Sequence, residues 1–146
     1  MLDTIEKYDT ITDSWTVMYF KLPKPLAKLG SVLLHEEAIF IAGGMSRDYE
    51  PLDEAYELNL VTLEWTQKKP MRDPRLPSSG LLLSQDGEEH RFVYAIGGNK
   101  SQRCERYNAE KEEWELIPSF QPKVLDDPGY QQNFLFTYSF SCSAML

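Results

Sequence analysis

The sequence predicts an all-β fold assembled from repeated small antiparallel sheets, and three observations predict it. Trp15, Trp65 and Trp114 recur at intervals of 50 and 49 residues. Two glycine pairs, Gly43-Gly44 and Gly97-Gly98, recur 54 residues apart, each after a short apolar run. No window carries a sustained 3.6-residue apolar period, so no long helix is predicted. Two independent markers with one period of about fifty residues are the mark of an internal repeat, which decides the architecture before any single element does.

The elements follow in chain order. Residues 1–20 hold the last two strands of a unit, in which Tyr8 and Asp9 lead into Trp15 through the segment YDTITDSW. The same segment returns as LNLVTLEW at Leu58–Trp65 and as YNAEKEEW at Tyr107–Trp114. Between them, Ser31–His35, Ala38–Ala42, Ala55–Asn59 and Glu64–Gln67 read as four strands. Gly80–Ser84, Phe92–Ile96, Arg103–Asn108 and Glu113–Ile117 read as four more. Turn chemistry separates them, as in Gln85-Asp86-Gly87 and Asn108-Ala109-Glu110. The units differ in length at two places, Met45–Pro51 and Gln85–Arg91. Insertions in repeats fall in loops, often on a binding face.

A period near fifty, four strands per unit, Gly-Gly after the second strand and a Tyr-to-Trp spacing of seven together resemble the kelch repeat, over about Leu2 to Phe120. Leu58 departs from the pattern at the tyrosine position. The resemblance implies a partial kelch β-propeller built of four-stranded antiparallel blades: a half blade at 1–20, one repeat at 21–70 and a second at 71–120. The tail, 121–146, contains Phe134–Phe140, which reads as a strand that opens a further blade or supplies a closing strand. In such a fold the tryptophans fill the wedge between blades, each burying about 150–250 Å². A large residue at Gly43 or Gly97 is expected to push neighbouring blades apart, since glycine alone tolerates φ > 0 and close backbone approach. Propellers close with about 4–8 blades, so roughly half a ring is present. Three arrangements answer that: a fragment of a longer protein, closure by self-association, or partner subunits on the open edges.

Composition narrows the function. A net charge of −8 disfavours nucleic-acid binding. Asp3, Glu6, Asp9 and Asp13 argue against a signal peptide in residues 1–20, and no apolar run is long enough to span a bilayer. Cys104 and Cys142 form no CxxC pair and read as reduced thiols, with a mutual disulfide as the alternative. A cytoplasmic protein is expected. His35 and His90 match no metal-ligand spacing and read as solvated turn residues. Asp53-Glu54 and Asp126-Asp127 read as solvated loop charge. No GxSxG, P-loop or GxGxxG occurs, and nothing suggests the His pair and Tyr–Cys constellation of the kelch-like copper oxidases. No catalytic residue, metal or cofactor is predicted.

What remains is a binding surface. The resemblance implies contacts from the loops after Gly-Gly, Met45–Pro51 and Asn99–Gln102, and from the loops joining one blade to the next, Lys21–Lys28 and Lys69–Ser79. The candidates there are Arg47, Tyr49, Asn99, Lys100, Arg72 and Arg75, residue types enriched at hot spots or able to pair with a partner's carboxylates. The alternative is that they are ordinary solvated loop residues. The function expected is a protein–protein interaction module, an adaptor or scaffold such as ubiquitin-ligase substrate recognition or cytoskeletal assembly within a longer protein. An enzyme or metal protein on the same architecture, or a purely structural subunit, are the alternatives.

Overall fold

The computed structural model describes residues 2–34, 37–76, 81–83, 92–98 and 103–118. Ten strands run through them: β1 Thr4–Asp9, β2 Ser14–Lys21, β3 Gly30–Leu34, β4 Ala38–Ala42, β5 Ala55–Asn59, β6 Trp65–Lys68, β7 Leu81–Leu83, β8 Phe92–Ile96, β9 Cys104–Asn108 and β10 Glu113–Ile117. They form three antiparallel sheets of consecutive strands, β1-β2, β3-β4-β5-β6 and β7-β8-β9-β10. The chain is all-β, with no helix among the described residues. The predicted strands lie within a residue or so of these bounds. His35, the stretch Gln85–Arg91 and the tail 121–146 fall outside the described residues.

One local device makes the outer hairpin of every sheet. Asp9 Oδ1 accepts hydrogen bonds from the amides of Ile11 (2.8 Å) and Thr12 (2.9 Å). Asn59 Oδ1 does the same for Val61 and Thr62, and Asn108 Oδ1 for Glu110 and Lys111. A short side-chain acceptor thus replaces the ladder where the chain must reverse. Each turn then passes through a left-handed residue, Asp13, Leu63 or Glu112, at φ 50°, 60° and 52°. The outcome is one register in three sheets: Tyr8 opposite Trp15, Leu58 opposite Trp65, Tyr107 opposite Trp114.

The glycine pairs end the second strand of each four-stranded sheet with matching angles, φ 64° and 104° at Gly43-Gly44 and φ 61° and 102° at Gly97-Gly98. The close approach belongs to the second glycine of each pair. A Cβ on Gly44 would lie 2.9 Å from the Ala27 carbonyl oxygen, and one on Gly98 would lie 2.9 Å from that of Leu76. Ala27 and Leu76 lie in the segments leading into β3 and β7 of the same units. The glycines therefore admit the incoming chain of their own sheet, where the sequence suggested a gap between neighbouring sheets.

The core sits between β3–β6 and β7–β10. Leu34, Ala38, Phe40, Ala42 and Ala55 on one sheet meet Val93, Ala95, Tyr107 and Trp114 on the next, with Met71 from the connecting segment. Phe40 is fully buried, 4.9 Å from the Tyr107 ring and 6.2 Å from Trp114. The Trp114 indole N–H donates to the Lys69 carbonyl at 2.8 Å, and the Trp65 indole N–H donates to the Lys21 carbonyl at the same distance. These contacts set Trp114, which is buried, between adjacent sheets, and tie Trp65, which is half-buried, to the end of the sheet before it. Trp15 differs: the indole is 68% exposed and packs against Tyr8, with ring centroids 5.0 Å apart.

The Tyr107 hydroxyl is buried in the aromatic contact and finds no hydrogen-bond partner among the described residues. Burial, with the nearby Glu112 and Glu57 carboxylates adding to it, pushes its ionisation well above the ordinary tyrosine range. An unsatisfied buried hydroxyl costs about 1–3 kcal/mol. Tyr107→Phe should accordingly leave stability unchanged or raise it by about 1 kcal/mol in denaturant unfolding, and a clear loss would show that the hydroxyl is hydrogen-bonded. At the glycine turns, Gly44→Ala should cost more than about 2 kcal/mol, and more than Gly43→Ala, because it meets a backbone oxygen as well as an unfavourable φ. Equal losses at the two positions would remove the close approach as the cause.

Candidate functional site

The loop after β4 is the first candidate region, and its backbone holds itself. Met45 exchanges amide–carbonyl bonds with Ala27, at 2.7 and 3.3 Å. Ser46 closes the tip: its amide donates to the Glu50 carbonyl (2.9 Å), and its Oγ accepts from the Asp48 and Glu50 amides, both at 3.2 Å. The Tyr49 amide donates to the Ser46 carbonyl at 3.1 Å, with Tyr49 itself at φ 64°. Leu52 returns the chain by donating its amide to the Gly44 carbonyl at 2.9 Å. The side chains of Arg47 and Tyr49 take no part in this network. Tyr49 stands 76% exposed, and Arg47 is exposed as well. A large amphipathic ring and a guanidinium are thus presented on a fixed backbone.

The segment joining β6 to β7 zips onto the base of that loop. The Met71 amide donates to the Asp53 carbonyl (2.8 Å) and the Arg75 amide to the Leu52 carbonyl (3.0 Å). The Gly44 amide donates to the Arg75 carbonyl at 3.0 Å. Arg72 lies on this segment with an exposed side chain, while its amide donates to Glu105 Oε2 at 2.9 Å. The structure therefore brings Arg47, Tyr49 and Arg72 onto one continuous loop region.

Arg75 is a different case and corrects the expectation. It is fully buried, and its guanidinium is consumed inside the chain. Nη2 pairs with Glu105, also fully buried, and Nη1 donates to the carbonyls of Gly97 (2.9 Å) and Arg103 (2.8 Å). Arg75 thus offers nothing to a partner's carboxylate. It ties the connecting segment to the turn after β8 and to the start of β9. Glu105 is the residue that sequence reasoning missed. It also accepts from the Asp73 amide at 3.3 Å. The signal was available only as the phase of a charge at an alternating core position, between Ala95 and Leu116 in register.

The preceding sheet has a looser counterpart. Tyr56, paired with Ile41 as Glu105 is with Ala95, donates its hydroxyl to Glu54 Oε2 at 2.9 Å, and Lys24 pairs with the same carboxylate. Burial pushes the Tyr56 phenol up to about 12, with the Glu54 hydrogen bond adding to it. Burial alone would raise Glu54, but the bonds from Lys24 and Tyr56 outweigh it and hold the carboxyl below its usual range. Glu54 is therefore engaged, unlike the solvated charge expected.

Asn99 and Lys100 lie outside the described residues, as do His35, His90, Cys142 and the Asp126-Asp127 pair. Cys104 is buried on β9. Among the described residues, no cluster of three or more His, Cys, Asp or Glu side chains is placed to hold a metal ion, and no helix is long and apolar enough to cross a membrane. No protein-family model matches the chain.

Removing one member of a buried ion pair strands the other, at about 3–5 kcal/mol. Arg75→Ala and Glu105→Ala should each show a loss of that size in equilibrium unfolding. The double variant should lose much less than the sum of the two. Strict additivity would mean that the pair does not form.

Proposed function

We propose that the chain is a protein-recognition segment of a kelch-type β-propeller, binding a partner through the loops beside its glycine turns. The repeated four-stranded meanders, the glycine pairs with matching angles and the tryptophans in one register support the propeller reading. The single observation that carries the binding reading is the Ser46-closed loop. Its backbone bonds are internally satisfied, yet it presents Arg47 and Tyr49 outside that network, with Arg72 on the segment bonded to its base. Tyrosine and arginine are the residue types that dominate binding energy at hot spots. A loop already ordered before binding spares the complex the entropy of ordering it.

Recognition by this surface suits an extended acidic or polar segment of a partner protein. Arg47 and Arg72 supply forked donors for carboxylates, and Tyr49 supplies a flat apolar body with a polar tip. Adaptor, substrate-recognition and scaffold roles all use such a surface, and a cytoplasmic setting fits the chain's few cysteines.

Selection from a displayed random-peptide library tests the reading even while the partner is unidentified. The wild-type chain should enrich a peptide class carrying carboxylates. Arg47→Ala, Tyr49→Ala and Arg72→Ala should each weaken capture of those peptides about tenfold or more, with Tm unchanged. Peptides that bind all three variants as tightly as wild type would move the binding surface elsewhere.

A further inference from the structure

The buried Arg75–Glu105 pair mounts two exposed arginines. Glu105 Oε2 accepts the Arg72 amide at 2.9 Å and Oε1 accepts the Asp73 amide at 3.3 Å, while Arg75 Nη1 donates to the Arg103 carbonyl at 2.8 Å. The backbones of Arg72 and Arg103 are thus fixed by one ion pair, and the side chains of both reach solvent. Asp73 stands beside them, its Oδ1 3.3 Å from Arg103 Nη1. Arg103 continues the alternation of Glu105 and Tyr107 on β9, and Tyr107 packs on Phe40. Arg103 therefore belongs to the side turned towards the preceding sheet, where the connecting segment runs.

The preceding unit carries the opposite charges at the same two positions. Gly44 crosses Ala27 as Gly98 crosses Leu76, so Lys24, three residues before Ala27, corresponds to Asp73. Ala55 pairs with Ala42 as Cys104 pairs with Ile96, so Glu54 corresponds to Arg103 and Tyr56 to Glu105. Glu54 is gripped from two sides, by Lys24 and by the Tyr56 hydroxyl at 2.9 Å, and its side chain is 28% exposed. In the last unit Glu105 stands where Tyr56 does and turns inward to Arg75, and the Arg103 side chain is 62% exposed. An ion pair in that setting is screened by water and exchanges partners readily.

We propose that Arg103 is a specificity-determining residue of the recognition surface, and that Asp73 is a built-in competitor which holds its guanidinium until an incoming carboxylate takes Asp73's place. This rests on the recognition reading above and sharpens it: the bound segment carries at least two carboxylates, one for Arg72 and one for Arg103. Glu54 repels such a segment at the equivalent position of the preceding unit, so the acidic end lies over the last unit. Replacing Asp73 by another carboxylate keeps the charge at Arg103 balanced. A neutral amide in the partner cannot displace Asp73, so the contact selects against it rather than merely favouring an acid.

Fluorescence anisotropy tests this with the full 146-residue chain and a labelled synthetic peptide, the most enriched carboxylate-bearing sequence from the display selection. Arg103→Gln should weaken binding about tenfold, and Asp73→Asn should tighten it about threefold, with Tm unchanged in both. In the Arg103→Gln background Asp73→Asn should bring no gain. One acid of the peptide, replaced by its amide, should cost wild type as much as Arg103→Gln does and cost the Arg103→Gln variant nothing. A gain from Asp73→Asn that persists without Arg103 would overturn the proposal, because long-range charge then accounts for it. Arg103→Gln binding as wild type does, while Arg72→Ala binds weakly, would overturn it and leave the recognition reading standing. A selection that enriches no carboxylate-bearing peptide, or Arg47, Tyr49 and Arg72 variants that all bind normally, would remove both.

Discussion

A four-stranded sheet whose strands are three to five residues long has two faces and can bury neither by itself. Face-to-face stacking is therefore the constraint on which the rest of this molecule depends. Phe40 is the centre of that contact, and its two aromatic neighbours arrive from a hairpin about seventy residues later in the chain. The hairpin turns, the glycine crossings and the indole hydrogen bonds all serve to deliver one sheet to the next in a fixed register. The indole N–H groups of Trp65 and Trp114 each find a backbone carbonyl at the edge of the preceding sheet, so the contact is oriented as well as apolar.

Polar groups supply the second layer of that orientation. The Arg75–Glu105 pair lies where the connecting segment, the second glycine turn and the third strand of the last sheet converge. A pair of apolar residues there would fill the space and leave several carbonyls and amides without partners. The guanidinium and carboxylate satisfy them together, since Glu105 also takes the amides of Arg72 and Asp73. The preceding sheet solves the same problem with Lys24, Glu54 and Tyr56, nearer to solvent. Equivalent positions in a repeat thus share a task rather than a residue, which is why pattern matching by identity alone passes over them.

The sheets were legible in the sequence because their determinants are local. Asp9, Asn59 and Asn108 each set a turn from within it, and the glycine angles answer to residues a few positions away or to one crossing segment. Arg75 and Trp15 were not legible for the opposite reason. Arg75 sits in a proline-flanked polar stretch and reads as a loop cation; only the fold brings Glu105 to it from thirty residues downstream. Trp15 follows a tyrosine at the same spacing of seven as Trp114, yet burial of an indole depends on a sheet standing in front of it. Arg47 and Tyr49 were found as loop residues, but the reason they are held in place is the hydroxyl of Ser46, a residue with no conspicuous signature.

The three indoles also give the molecule an optical gradient. Trp15 lies mostly in water, Trp65 at a half-covered sheet edge and Trp114 inside the aromatic contact. Their emission is therefore spread in wavelength and in access to a soluble quencher, from the first hairpin to the last. Covering the β1-β2 face shields the red-shifted, quenchable component, whereas separating the two four-stranded sheets unshields the blue one. A single steady-state spectrum with and without quencher thus distinguishes an event at the open face from a loosening of the core, with no added label.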